Sequence, residues 1–148
     1  MGCDIHIYRE SLQEGSWVAS DPWTPDEYEL GLQEVDYTAQ AYRGRNYEVF
    51  GMLCDGIRGC SYTYSFLERG IPDDVTINVA NVIDSWGSSG HSHSYIYLQE
   101  LKELATQLLI DPPDHEAVSW HQKALQTLIA GFNDIEGTDH RYVFFFDN

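Results

Sequence analysis

The stretch Arg141-Tyr142-Val143-Phe144-Phe145-Phe146-Asp147-Asn148 constrains the fold more than any other. It is aromatic and β-branched and contains no glycine or proline. A run in which successive side chains are all apolar reads as a strand buried on both faces. Such a strand needs a neighbour, and the natural place is beside the alternating run Asp4-Ile5-His6-Ile7-Tyr8-Arg9. That first run is followed by a turn at Glu14-Gly15 and a returning strand from Ser16 to Ala19, which together read as a hairpin.

Helical periodicity supplies the other layer. Asn46 to Asp55 spaces Tyr47, Phe50, Leu53 and Cys54 on one face, with Asn46 as N-cap and Gly56 as stop. Leu98 to Ile110 repeats Leu98, Leu101, Leu104, Ala105 and Leu108, and Asp111-Pro112-Pro113 ends it. Asp114 to Ala130 carries Ala117, His121, Ala124, Leu125, Leu128 and Ile129 on one side, with Asp114 as cap and Gly131 as the break. These last two make a helical hairpin. Residues 61–89 give no clean period; a turn is expected at Arg69-Gly70-Ile71-Pro72, with a short helix opened by Pro72-Asp73-Asp74. The expected class is α+β, a small antiparallel sheet (N-terminal hairpin plus C-terminal strand) packed with about three to four helices. At 148 residues, 43% of them hydrophobic, residues 1–148 suffice for one domain but not two.

Charge sets the choice of partners. With 24 acidic and 8 basic residues the formal net charge is -16, so the chain repels phosphate backbones and nonspecific nucleic-acid binding is not expected. A small anionic ligand needs a local cluster of cations, and six of the basic residues are arginines suited to bidentate contacts: Arg9, Arg43, Arg45, Arg58, Arg69 and Arg141. Asp21, Asp26, Glu27, Glu29, Glu34 and Asp36 follow one another without a Lys or Arg, punctuated by Pro22 and Pro25. Residues 20–42 therefore read as an acidic loop or insertion, which either is a solvated face or presents carboxylates to a basic partner. No run of about 18 apolar residues exists, and no positive region precedes an apolar block near the start, so neither a membrane span nor a signal peptide is expected. Three cysteines without Cys-x-x-Cys spacing fit a reducing, cytoplasmic setting.

Two segments carry candidate chemistry. Asp4 and His6 stand at i, i+2, as do His91 and His93 within Gly-Ser-Ser-Gly-His-Ser-His-Ser. In extended backbone that spacing points both side chains of a pair to one side. If the two half-sites meet, they supply the mixed nitrogen and oxygen donors that zinc or manganese accepts. Arg45, Arg58 or Arg69 would neutralise developing charge, and Asp74 or Asp147 would serve as a further ligand or general base. The bland alternative is a polar strand edge and a hydrogen-bonded loop. His121 falls on an apolar helix face and reads as a core histidine, while His115 and His140 read as surface positions. Cys54 and Cys60 read as buried small hydrophobes, with a Cys54/Cys60/His zinc site or a Cys/His nucleophile pair as the other options; Cys3 points away from Asp4, to the core.

Asp4-x-His6 and Gly90-His91-Ser92-His93 resemble the first and last metal motifs of calcineurin-like metallophosphoesterases, although the Gly-Asp and Gly-Asn-His motifs that lie between them in that family do not occur here. A broader resemblance covers most of the chain. MGCDIHIY, RNYEVFGMLCDGIRG, RGIPDDV, the HSHS segment and RYVFFFDN are similar to a family of small phage and bacterial proteins that open with MGCDIH. That resemblance implies a shared fold and a phage or bacterial cytosolic origin, and no particular reaction. It puts polar groups at recurring motif positions: Asp4, His6, Arg45, Arg58, Arg69, Asp74, His91, His93 and Asp147.

The expected function is metal-dependent hydrolysis of a phosphoester or nucleotide. The alternatives are a phage-encoded binding or inhibitor protein, which sequesters a nucleotide or occupies a basic surface on a host defence protein, and a domain with a purely structural metal.

Overall fold

β1 (Asp4–Gln13) and β2 (Ser16–Ala19) form the expected hairpin, and the chain continues through β3 (Trp23–Pro25), β4 (Gln33–Val35), α1 (Tyr47–Leu53), α2 (Ile77–Trp86), β5 (His91–Tyr97), α3 (Leu98–Ile110), α4 (Val118–Ala130) and β6 (His140–Asp147). The structure is a computed structural model describing residues 2–113, 117–132 and 138–148. Four strands make one sheet in the order β2-β1-β6-β5, every pair antiparallel. The first and last strands pair over their length, from Asp4 opposite Asp147 to Ser11 opposite His140. The fold is α+β, as the sequence predicts.

The central position of β6 explains its composition. Tyr142, Phe144 and Phe146 join Ile5 and Ile7 against α1, α3 and α4, where Phe50, Leu101, Leu104, Leu108, Leu125 and Leu128 close the larger core. Val143 and Phe145 join Tyr8 on the other face against Val79 and Ile83 of α2 and Val35 of β4. Both faces are thus sealed from water, and the strand needs no polar side. Within α1, Asn46 caps through Oδ1, which accepts from the Val49 N–H at 3.1 Å. Gly51 lets this helix touch the following loop, since a Cβ there would collide with the Cys60 carbonyl.

Several elements differ from the sequence reading. The acidic segment is not a solvated loop throughout: β3 and β4 pair into a small two-stranded sheet whose Val35 and Trp23 cover the second face. Asp21 is buried, and its carboxylate accepts from the Arg9 backbone N–H and guanidinium, each at 2.7 Å. Burial raises its pKa, and the Arg9 contacts oppose that rise. The middle of the chain holds α2, which opens after Thr76 rather than at Pro72. The Gly/Ser-rich histidine segment continues as β5, the outer strand of the sheet. His140 is buried rather than at the surface, bonded through Nδ1 to the Ser11 hydroxyl at 2.7 Å. Asp114, expected as a cap, and His115 lie outside the described residues.

Three ion pairs tie the layers together. Arg141 is 1% exposed, donates from Nε to the buried Glu10 at 2.7 Å and from a terminal nitrogen to Asp74 at 2.9 Å, and lies 4.0 Å over the Trp17 ring. The second Glu10 oxygen accepts from the Thr76 N–H at 2.8 Å, which holds the entry to α2. Arg69 grips Glu100 with two bonds of 2.7 and 2.5 Å and reaches the Tyr95 carbonyl at 3.1 Å. Its own segment lies along the outer edge of β5, where the Gly70 N–H donates to the His93 carbonyl and the Arg69 N–H to the Ser94 hydroxyl, both at 2.9 Å. None of the described helices is long and apolar enough to cross a membrane.

A fully buried pair is costly to break and cheap to replace. Arg141→Leu alone is expected to destabilise by about 3–5 kcal/mol because Glu10 is left uncompensated, whereas Arg141→Leu with Glu10→Leu regains most of that loss. Urea unfolding of the three proteins measures this, and a double variant no more stable than the single would contradict it.

Candidate functional site

A bulge in β5 decides which of the candidate residues meet. His91 pairs with Phe146 but Ser94 with Phe144, and Ser92 takes the left-handed backbone at φ 55°. An extra residue in one strand breaks the alternation of faces. His91 consequently stacks against Phe146 at 6.3 Å, on the side of the larger core, and His93 against Phe145 at 5.5 Å, on the other side. The two histidines do not point the same way, contrary to what i, i+2 spacing predicts.

Asp4 and His6 do share a face, with Asp147 beside them. His6 Nε2 bonds Asp147 Oδ2 at 2.8 Å. The imidazole lies on Phe145 (centroids 4.9 Å apart, planes 15°) and against Trp86 (4.3 Å). Since β6 runs between β1 and β5, Phe145 stands between His6 and His93. Asp4 is gripped by Arg45, which donates from Nε at 2.6 Å and a terminal nitrogen at 3.0 Å. That contact lowers the Asp4 pKa and raises that of Arg45. His91 Nε2 instead meets the Asn148 side chain at 3.2 Å. Of the four residues expected to share a metal, two are therefore neighbours, one lies beyond Phe145 and one is on the other face. Among the described residues no group of three or more His, Cys, Asp or Glu side chains is arranged to hold a metal ion.

The expected catalytic residues also separate. Arg45 stays at the site. Arg58 lies over the Tyr47 ring at 4.9 Å, while Arg69 and Asp74 are engaged by Glu100 and Arg141 and neither lines the cleft at His6. Burial raises the pKa of all three thiols, Cys54 to about 11, which removes thiolate character at neutral pH. Cys3 lies in the larger core, on the side away from Asp4, as expected.

The cleft has two adjoining hollows that share His6 and Gln40. One, of about 400 Å³, is bordered by Asp4, Tyr37, Arg43 and Arg45. The other, of about 240 Å³, is bordered by Tyr8, Trp86, Asp26, Glu29 and Glu34. Its two halves thus carry opposite charge. With the Asp147 carboxylate as acceptor, His6 Nε2 carries the proton, and Nδ1 is left unprotonated. Such a pair can accept a proton from a bound molecule and hold the resulting imidazolium. Sequence reasoning missed Arg43, Gln40 and Trp86 as members of the site. Arg43-Gly44-Arg45 was the available signal, because nowhere else do two of the 8 basic residues fall within three positions.

His93 Nε2 is buried without a partner. Burial lowers the His93 pKa, with His91 adding to the effect and Glu68 opposing it. The unfolded chain takes up this proton near the ordinary value of about 6.5, so the neutral ring's contribution to stability is complete above that pH and is lost as pH falls below it. Urea midpoints are expected to fall between pH 7.5 and 5.5, roughly the window of that titration, and less steeply in His93→Gln. Equal slopes for the two proteins would refute the assignment.

Compared with known proteins, the chain matches no protein-family model, no curated protein and no solved structure.

Proposed function

We propose that the cleft at His6 binds a small phosphoester or nucleotide and catalyses its hydrolysis. The His6–Asp147 pair, with its free ring nitrogen at the wall of a two-part cleft, is the observation that carries this reading. Arg43 and Arg45 neutralise the phosphoryl oxygens, which an acidic chain otherwise repels. The aromatic surfaces of Tyr8 and Trp86 take the apolar body of the ligand, and Asp26, Glu29 and Glu34 accept from its amino groups. Water adds at phosphorus while His6 Nδ1 takes its proton; the ester P–O bond breaks, and the imidazolium returns the proton to the leaving oxygen. Asp147 holds the tautomer and stabilises the imidazolium. Zinc or manganese, if carried in with the substrate phosphate, would add to that charge neutralisation.

A screen of cyclic nucleotides and generic phosphodiesters, each with and without zinc or manganese, tests this. Asp147→Asn is expected to lower kcat by about 10²–10⁴-fold with little change in KM, and Arg43→Ala to raise KM. Absence of turnover under every condition would remove the reading.

A second reading, occupation of a basic surface on a host protein in the cytoplasm of a phage-infected cell, is favoured by one feature. Between β3 and β4, Tyr28 and Leu30 project fully exposed among Asp26, Glu27 and Glu29. Large apolar side chains rimmed by charge mark contact sites. Capture of a bacterial protein by the wild-type chain is expected to be lost in Tyr28→Ser/Leu30→Ser; capture that survives this change and neutralisation of the three carboxylates would eliminate the hairpin as the contact.

A further inference from the structure

The division of charge between the two hollows of the His6 cleft limits the ligand more narrowly than the reaction does. The smaller hollow, of about 240 Å³, is bordered by Asp26, Glu29 and Glu34 and, among the described residues, by no Lys or Arg. None of these three carboxylates forms an ion pair with a described cation. A narrow cleft lined by one sign of charge focuses its field on whatever enters. A neutral group there leaves that field unmatched, and a cation matches it.

The larger hollow has the opposite excess, and a smaller one. Asp4 already holds Arg45 with two bonds of 2.6 and 3.0 Å, which offsets that cation. Arg43 lies over the Tyr37 ring at 5.0 Å and forms no ion pair among the described residues. One cation is therefore left over beside the phosphoryl group. That excess suits the single negative charge of a phosphodiester better than the double charge of a monoester, which would meet the Asp4 and Asp147 carboxylates as well.

The apolar part of the wall specifies the cation. Trp86, half-buried against His6 and Phe145, borders the acidic hollow together with Leu32 and Val82. An indole attracts an ammonium group, and aliphatic neighbours favour one that carries methyl groups over one that stays hydrated. We propose that the substrate is a zwitterionic phosphodiester, its phosphoryl oxygens at Arg43 and Arg45 and its aliphatic ammonium group in the hollow formed by Trp86, Asp26, Glu29 and Glu34. This assignment rests on the cleft being the substrate site, and the ammonium group takes no part in the hydrolytic step. A nucleotide would set an uncharged base among three carboxylates, and a simple polyamine would leave Arg43 unmatched.

4-Nitrophenyl phosphorylcholine and 4-nitrophenyl 3,3-dimethylbutyl phosphate are the probes, because they share a phosphodiester and a shape and differ by one positive charge. Binding is measured calorimetrically with the full chain carrying Asp147→Asn, in which turnover is slow, and hydrolysis is followed as nitrophenolate release by the wild type. The choline ester is expected to bind at least about tenfold more tightly than its uncharged isostere, as a partly desolvated cation–π contact implies. In Asp26→Asn/Glu29→Gln/Glu34→Gln that preference is expected to shrink to within about twofold. The first of these changes keeps an acceptor for the Tyr28 and Glu29 N–H groups, which Asp26 holds at 2.7 and 3.0 Å, so the hairpin is retained. Preference for the choline ester without turnover would end the hydrolysis reading and leave this assignment standing. Equal affinity for the two esters, with or without turnover, would overturn the assignment. So would a preference untouched by the triple change, or no binding of the choline ester at roughly 10 mM, far above useful affinities. Vesicles of dioleoylphosphatidylcholine, run beside the soluble ester, separate the two sources of this group: vesicle binding lost in Tyr28→Ser/Leu30→Ser assigns a lipid headgroup, and binding of the soluble ester alone assigns a free one.

Discussion

Everything in this molecule follows from a strand that has no polar side. β6 lies between β1 and β5 with apolar side chains on both of its faces, so a cover is needed above and below the sheet. The helices α1, α3 and α4 supply one cover, and α2 with the β3–β4 hairpin supplies the other. The second cover is thinner, one helix and a two-stranded hairpin against three helices, and His6, Asp147, Glu10 and Arg141 all lie on that side. A cleft forms where the thinner cover fails to close over the His6 end of β1.

The arginines divide between architecture and surface. Arg9, Arg69 and Arg141 are held by Asp21, Glu100 and Glu10, each joining segments distant in sequence. Burial disfavours the Glu100 carboxylate, yet the Arg69 bonds and the Tyr97 N–H hold its pKa below the ordinary range. Such pairs contribute geometry more than net stability, since desolvation offsets much of their attraction. Arg43 and the Asp4-bound Arg45 border one hollow together, which is why the positive end of the cleft lies where it does.

Much of this arrangement is legible in the sequence, for definable reasons. The hairpin, the two long helices and the pairing of first and last strands rest on local periodicity and a breaker-free apolar run, signals that tertiary context reinforced. α2 escaped because its core contacts come from Val79, Val82, Ile83 and Trp86, β-branched and aromatic residues that read equally well as strand. β5 was hidden by its Ser and His content, which only the cover over its inner face makes compatible with a sheet. The opposed directions of His91 and His93 depend on Ser92 adopting the left-handed region, a demand of register and not of local preference. Proximity of Asp147 to His6 followed from pairing the terminal strands, whereas that of Arg45 to Asp4 depends on a loop path that no local pattern encodes.

The loop at Arg69 and Gly70 bears on how such a chain avoids self-association. Tyr142 to Phe146 combines high β-propensity, strong apolarity and no charge, the makings of a fibril-forming segment. In the folded protein it is flanked on both sides, and β5, the neighbour that shields it, has its own outer edge occupied by the Gly70 and Arg69 amides. At the opposite border stands β2, too short at four residues to template a partner strand. Exposing this segment from the β5 side would thus require the 69–70 loop and β5 to peel away in succession, which makes a loop far in sequence one of the guards of the segment.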